Sequence, residues 1–168
     1  MQKNTLIFHT MLLSMSILST ASVEAKEPNP KVFGKSYSAV GDVVNGQSQV
    51  IYYRAHSPHL NPNAAHIFLD HKLQSVLLPG GYTLFCISPG KHLLEKKFET
   101  QRGTNKPVAF TTQLEGGKTY FLKVDEDENR PPLAITPFQA AQELALTHQQ
   151  VHALTRANQL VACQYLPK

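Results

Sequence analysis

The sequence predicts an all-β fold: a β-sandwich of about seven short antiparallel strands with a C-terminal α-helix packed on it. Two observations predict the sandwich. From about residue 49 to 136 the chain breaks into short runs rich in Val, Ile, Tyr, Phe and Thr. Turn signals, Pro79-Gly80-Gly81, Pro89-Gly90 and Gly116-Gly117 among them, separate these runs. A third observation predicts the helix, because the period changes from two to about 3.6 after Pro137.

Each element follows from its own residues. Residues 49–55 carry Val50, Ile51, Tyr52 and Tyr53 and read as a strand, followed by a loop marked by Pro58 and Pro62. Residues 67–69 form a short strand that turns at Asp70-His71-Lys72 into 73–78. The run 82–88 is apolar on both faces, as a central strand should be. Pro89-Gly90 turns it into 91–100. In 108–114, Val108, Phe110, Thr112 and Leu114 share one face; in 118–124, Tyr120, Leu122 and Val124 point inward. Thr136-Pro137 reads as an N-cap followed by an N1 proline, opening a helix through about Ala157. Its buried stripe is Ala140, Leu144, Thr147, Val151 and Leu154. The last run, 160–165, is extended.

The first 25 residues read as a secretory signal peptide. Lys3 gives the positive start, 6–18 a mostly apolar stretch, and Val23-Glu24-Ala25 the small residues of a cleavage site after Ala25. The apolar stretch is too short and too polar for a membrane span, and the first Cys, Cys86, is far too late to be a lipoprotein acylation site. The expected organisation is a signal peptide (1–25), a leader (26–47) and a β-sandwich domain (48–168) ending in the helix and the extended segment. The expected location is the periplasm or outer envelope, with no transmembrane segment after cleavage. A net charge of +4 suits loose contact with an anionic cell-wall or lipid surface. No cluster of basic and stacking aromatic residues indicates nucleic acid.

The two cysteines, Cys86 and Cys163, lie in apolar runs. In an oxidising compartment an even pair reads as a disulfide, which by loop entropy contributes roughly 4 kcal/mol. The flanks Phe85, Ile87 and Ala162 offer nothing to activate a thiolate nucleophile.

Other motifs are weighed and set aside. Asp125-Glu126-Asp127-Glu128-Asn129 begins like a calcium loop, but Arg130 stands where the turn glycine belongs and Thr136 where the bidentate glutamate does. A solvated turn is expected there. His148 and His152, four apart on the expected helix, are the weak metal candidates; His56, His59, His66 and His71 would have to converge from loops and strands. Ser88-Pro89-Gly90-Lys91 lacks the remainder of a phosphate loop, no Gly-x-Ser-x-Gly elbow is present, and no carboxylate pair stands out. No catalytic residue, cofactor or enzymatic activity is assigned. Lys91, His92, Lys96, Lys97, Arg102 and Lys106 concentrate positive charge on one hairpin. They read either as a solvated edge protected against aggregation or as a docking surface for an anionic envelope polymer.

Five fragments in order complete the reading: Ile51-Tyr52-Tyr53-Arg54, Ile67-Phe68-Leu69-Asp70, Leu78-Pro79-Gly80-Gly81-Tyr82, Ser88-Pro89-Gly90-Lys91-His92 and Gly116-Gly117-Lys118-Thr119-Tyr120-Phe121-Leu122. Across residues 50–124 the chain resembles exported bacterial β-sandwich domains related to the PEGA-type domains of envelope proteins, also seen as N-terminal regions of outer-membrane-protein-A-type proteins. The resemblance implies a non-catalytic envelope binding or assembly module with an envelope protein as partner. The chain departs from it in having no lipoprotein cysteine and no room for a peptidoglycan-binding domain. A carbohydrate- or peptidoglycan-binding module using the basic hairpin is the alternative, and a histidine-based metal enzyme the third.

Overall fold

The computed structural model describes residues 32–57, 60, 62–99, 106–151 and 160–167. The signal-peptide reading, the leader up to residue 31, His59, Arg102 and His152 lie outside the described residues. The described elements are β1 (Phe33–Ser36), β2 (Ser48–Tyr53), β3 (Ala65–Leu69), β4 (Lys72–Leu77), β5 (Gly81–Ile87), β6 (Gly90–Phe98), β7 (Val108–Leu114), β8 (Thr119–Lys123), β9 (Leu133–Ile135), α1 (Pro137–Leu144), β10 (His148–Gln150) and β11 (Leu160–Val161).

Two sheets enclose the main core, so the described residues are mostly β, with one short helix among them near the C-terminus. The larger sheet runs β1-β10-β5-β2-β8-β9, with β11 added to β5; the smaller runs β4-β3-β6-β7. Strand alternation sorts the side chains of β2. Val50 and Tyr52 join Phe85, Ile87 and Leu122 against Ile67, Leu69, Leu94 and Phe98 of the smaller sheet. Ile51 and Tyr53 point the other way and pack with Ala140 and Leu144 of α1. The predicted central strand is indeed interior, since β5 pairs with β2 on one side and with β10 and β11 on the other.

Three features correct the sequence expectation. The sheet is mixed: β2–β8 and β5–β10 pair in parallel. Parallel neighbours need crossover connections that no local turn signal announces. Part of the expected leader is structural, because β1 pairs with β10 and Val43 is buried, bridging Tyr165. The helix is also shorter than expected. Thr136 caps its start, accepting from the Gln139 amide at 3.4 Å. At the other end the Thr147 amide and hydroxyl both donate to the Leu144 carbonyl, at 2.8 and 2.7 Å. That ends the helix, and His148 enters the sheet as part of β10 instead of continuing it. Ala140, Leu144 and Thr147 of the expected stripe are buried, whereas Val151 is half exposed. At the Gly116-Gly117 turn a Cβ on Gly116 would lie 1.8 Å from the Asn45 carbonyl oxygen, so no side chain fits.

One carboxylate pins α1 to the sheet. Glu143 pairs with Lys123 of β8 at 2.7 Å and accepts from the Tyr53 hydroxyl of β2 at 3.1 Å and from the Gln139 side-chain Nε2 at 3.0 Å. Burial pushes its carboxyl up, but the hydrogen bonds from Lys123, Gln139 and Tyr53 outweigh this and hold it below the ordinary 4.5. A depressed folded-state carboxyl stabilises fully above its unfolded value, and that stabilisation is lost as pH falls through the folded value. Glu143→Gln is therefore expected to flatten part of the acid limb of the stability–pH profile below about pH 4.5, measured by urea unfolding across that range. An unchanged acid limb would show that Glu143 does not contribute.

Candidate functional site

The basic hairpin does not form one face. Its strand, β6, lies between β3 and β7, so it is not an edge and its lysines protect none. Along β6, Leu94, Lys96 and Phe98 alternate inward while Lys97 lies on the opposite side. Lys91 and Lys106 are exposed, Lys97 is half-buried, and Lys96 is 0% exposed. The reading of Lys96 as a surface cation is corrected: its ammonium is interior.

What receives it is the acidic segment 125–129. The Lys96 Nζ donates to the backbone carbonyls of Asp125 and Asp127, the latter at 2.7 Å. The loop is folded by its own side chains, since Asp125 accepts from the Asp127 amide and Asp127 from the Asn129 amide, both at 2.9 Å. Such turns are what Asp and Asn favour, and here they present the two carbonyls to the lysine, that of Asp127 also accepting from the Arg130 amide at 3.2 Å. Glu126 forks onto fully buried Arg54 of the β2 end, at 2.8 and 2.6 Å, and Arg54 also donates to the Asn63 carbonyl at 2.6 Å. Both cations lie over the Phe98 ring, the guanidinium carbon 5.0 Å and the ammonium 5.1 Å from its centroid. Burial lowers the Lys96 ammonium, against the raising pull of Asp125, Glu126, Asp127 and Glu128. The expected solvated turn is thus a clamp, and the residues that resemble cation ligands hold internal cations.

Two of the histidines, His71 and His92, brace turns. Asp70 and His71 both take positive φ, 46° and 66°, a tight hairpin conformation that costs non-glycine residues. The Glu95 carboxylate accepts from the His71 amide at 2.9 Å and meets its ring at 3.2 Å. Asp70 accepts from the Leu93 amide at 2.8 Å and meets His92 Nδ1 at 2.9 Å. The other ring nitrogen of His92 faces the Ser88 carbonyl oxygen at 3.0 Å. His92 is thereby committed to joining two turns, and its partner is a carbonyl, not a serine hydroxyl poised for attack. His148 belongs to β10, not to a helix, so the expected i,i+4 geometry with His152 is lost. Among the described residues no three of His, Cys, Asp and Glu converge to hold a metal.

The expected pair Cys86–Cys163 is bonded, with Cα atoms 5.2 Å apart. The Gln47 side chain brackets it, donating to the Ala162 carbonyl at 2.8 Å and accepting from the Gln164 amide at 2.7 Å. The bridge stitches the C-terminal run onto β5.

A feature the sequence reading missed is an apolar cleft of about 130 Å³ where the sheets part between β7 and β9. Leu94, Phe110, Leu114, Tyr120, Ile135 and Pro137 contribute to its lining. That volume suits a benzene-sized apolar group. Beside Pro137, Phe138 is 77% exposed. The alternation in β7 and β8 named Phe110, Thr112, Leu114, Tyr120 and Leu122 of the lining, but nothing local says that they border an open cleft. Of the two kinds of surface considered, the basic one is dispersed and the apolar one is assembled. Set against known proteins, the chain matches no family model, no curated protein and no solved structure.

Proposed function

We propose that this chain is an exported, non-catalytic binding or assembly module of the cell envelope, of the PEGA-like kind, acting through protein contact. The observation that carries export is the Cys86–Cys163 bridge, a cross-link favoured where the compartment is oxidising, in a chain whose N-terminus reads as a signal peptide. No helix among the described residues is long and apolar enough to cross a membrane. Protein contact is favoured because Lys96 and His92, the middle of the basic hairpin, are engaged inside the fold, while the open surface near β7 is apolar.

Fractionation of cells expressing the full chain tests this. The expected product is periplasmic, begins at Lys26 and carries no free thiol. A cytoplasmic product with two free thiols would overturn the export reading. Incubation with purified cell-wall sacculi separates the partner classes. Protein contact predicts no enrichment on sacculi, and salt-sensitive co-sedimentation would overturn it in favour of polymer binding.

A further inference from the structure

We propose that the gap in the larger sheet between β10 and β11 is a binding notch for a short, uncharged, extended peptide, which pairs with Leu84 of β5 as an inserted strand. The notch lies apart from the apolar cleft, and it acts in any compartment where the Cys86–Cys163 bridge forms.

Strand register places the gap. On one side β5 pairs with β2 from Tyr82 to Ile87. On the other, β10 covers Gly81 and Tyr82 and β11 covers Cys86 and Ile87; among the described residues no strand covers Thr83 to Phe85. The Arg54 amide donates to the Gly81 carbonyl at 2.9 Å, and in an antiparallel pair such bonding recurs at every second residue. Thr83, Phe85 and Ile87 therefore bond to β2, while the amide and carbonyl of Leu84 point away from it, into the gap. Three residues of strand span about 10 Å, room for a peptide of similar length.

Behind the gap is a pocket of about 360 Å³, lined by residues that include Gln74 and Ser75 of β4, Thr83 and Leu84 of β5, Gln150 of β10 and Leu160 of β11. That is within the size range of ligand sites. The disulfide also lines it and holds β11 as its far wall.

Gln74 is the residue that points to a ligand. It is the extra residue of a bulge, because Ile67 and Phe68 of β3 face Ser75 and Leu73, with Gln74 between them, and bulges re-aim side chains. Gln74 is 5% exposed, yet its Oε1 has no hydrogen-bond partner. A polar group buried unpaired is costly, so its place in a pocket wall calls for a partner from outside the fold. Its amide turns about a broad, two-fold torsion and can present either end to the pocket.

The chemistry of the lining selects a peptide. Among the described residues no ionisable side chain lines the pocket, which disfavours a charged ligand. One N–H and one C=O from Leu84, with a primary amide from Gln74, are groups that pair with peptide bonds, as in strand addition. A sugar calls for an open aromatic face, and Phe85, the aromatic residue of the lining, is buried in the inter-sheet core.

NMR of the mature, disulfide-intact protein tests this, with acetylated and amidated tripeptides of Ala, Val, Ser and Thr as probes. In the free protein the Leu84 amide should exchange with solvent faster than those of Thr83 and Phe85. The tripeptides, at millimolar concentration, should shift it saturably and slow its exchange. Their N-methylated counterparts, lacking the donor for the Leu84 carbonyl, should bind about tenfold more weakly. Gln74→Met keeps the volume and removes the amide; it should weaken binding about tenfold without lowering the melting temperature. A lower melting temperature would show that the amide serves the fold, and would overturn the proposal. So would tripeptides that cause no saturable shift, or N-methylated ones that bind equally well; neither measurement needs a variant. A Leu84 amide as protected as its neighbours before any peptide is added would overturn it in favour of residues 152–159, which join β10 to β11, as the occupant. N-acetylglucosamine binding where the tripeptides do not would overturn it in favour of a sugar. An exported, bridged protein that binds no tripeptide would overturn the notch and leave the envelope-module reading standing.

Discussion

Replacing Lys96 by glutamate is expected to unfold the protein, whereas the same replacement at adjacent Lys97 should change stability by only about half a kcal/mol. The two lysines are neighbours in sequence and opposites in environment. Lys96 points between the sheets, flanked along its face by Leu94 and Phe98, with 0% of its surface exposed. Its ammonium is held by the carbonyls of Asp125 and Asp127 and lies over the Phe98 ring. A carboxylate in its place would face two carbonyl oxygens and the negative face of an aromatic ring, near Glu126. Leaving a buried charge uncompensated costs about 3–5 kcal/mol, and reversing it costs more. That is comparable with the total stability of a domain, about 5–15 kcal/mol. Lys96→Met isolates the charge from the volume: the Asp125 carbonyl loses the lysine while that of Asp127 keeps the Arg130 amide, and the cost should be about 1–3 kcal/mol for a carbonyl left buried and unpaired. Melting temperatures should therefore fall in the order Lys97→Glu, Lys96→Met, Lys96→Glu. If Lys96→Glu melts with Lys97→Glu, the clamp does not exist in solution.

This pair also shows where sequence stops being legible. The run Lys91 to Phe98 mixes charged and apolar residues so that neither face of the strand is clean, and a period-two rule cannot say which lysine goes inside. The group that makes an interior lysine tolerable is a loop 29–31 residues away, invisible to any local window. By contrast, β5 is legible as a bounded run apolar on both faces, and β7 and β8 because Val108, Phe110 and Leu114, and Tyr120 and Leu122, recur on one face between clear turn signals. The start of α1 is legible because Thr136 and Pro137 are a local cap. Its end is not, because Thr147 looks like one more member of a helical stripe until Gly80 and Tyr37 claim the backbone on either side of the peptide bond that follows it. The disulfide was readable from the even count of cysteines and the expectation of export. The apolar cleft was not, since it depends on how far each sheet extends.

Loss of the bridge should be the second large effect. Cys163→Ala is expected to lower stability by about 4 kcal/mol, within the usual 2–5 kcal/mol for a native disulfide, because Cys86 and Cys163 are 77 residues apart and the cross-link closes a long loop in the unfolded chain. Several local contacts depend on the segment it anchors. β11 pairs with β5 at Cys86 and Ile87, Gln47 brackets Cys163 from both sides, and the Val44 and Leu166 amides donate across the same seam, at 3.0 and 2.9 Å. Ile87 belongs to the inter-sheet core and Leu160 packs against it, but the rest of that core, around Tyr52, Leu69 and Leu94, lies outside this seam. The variant should therefore remain folded at low temperature, melt earlier, and show its largest gain in hydrogen exchange at residues 42–47 and 160–167. Reducing the wild type should reproduce both changes, and reducing Cys163→Ala should add nothing. An oxidised wild type no more stable than its reduced form would show that the seam holds without the bond, because the hydrogen bonds of Gln47 and the pairing of β11 would then suffice to keep the C-terminal run on the sheet.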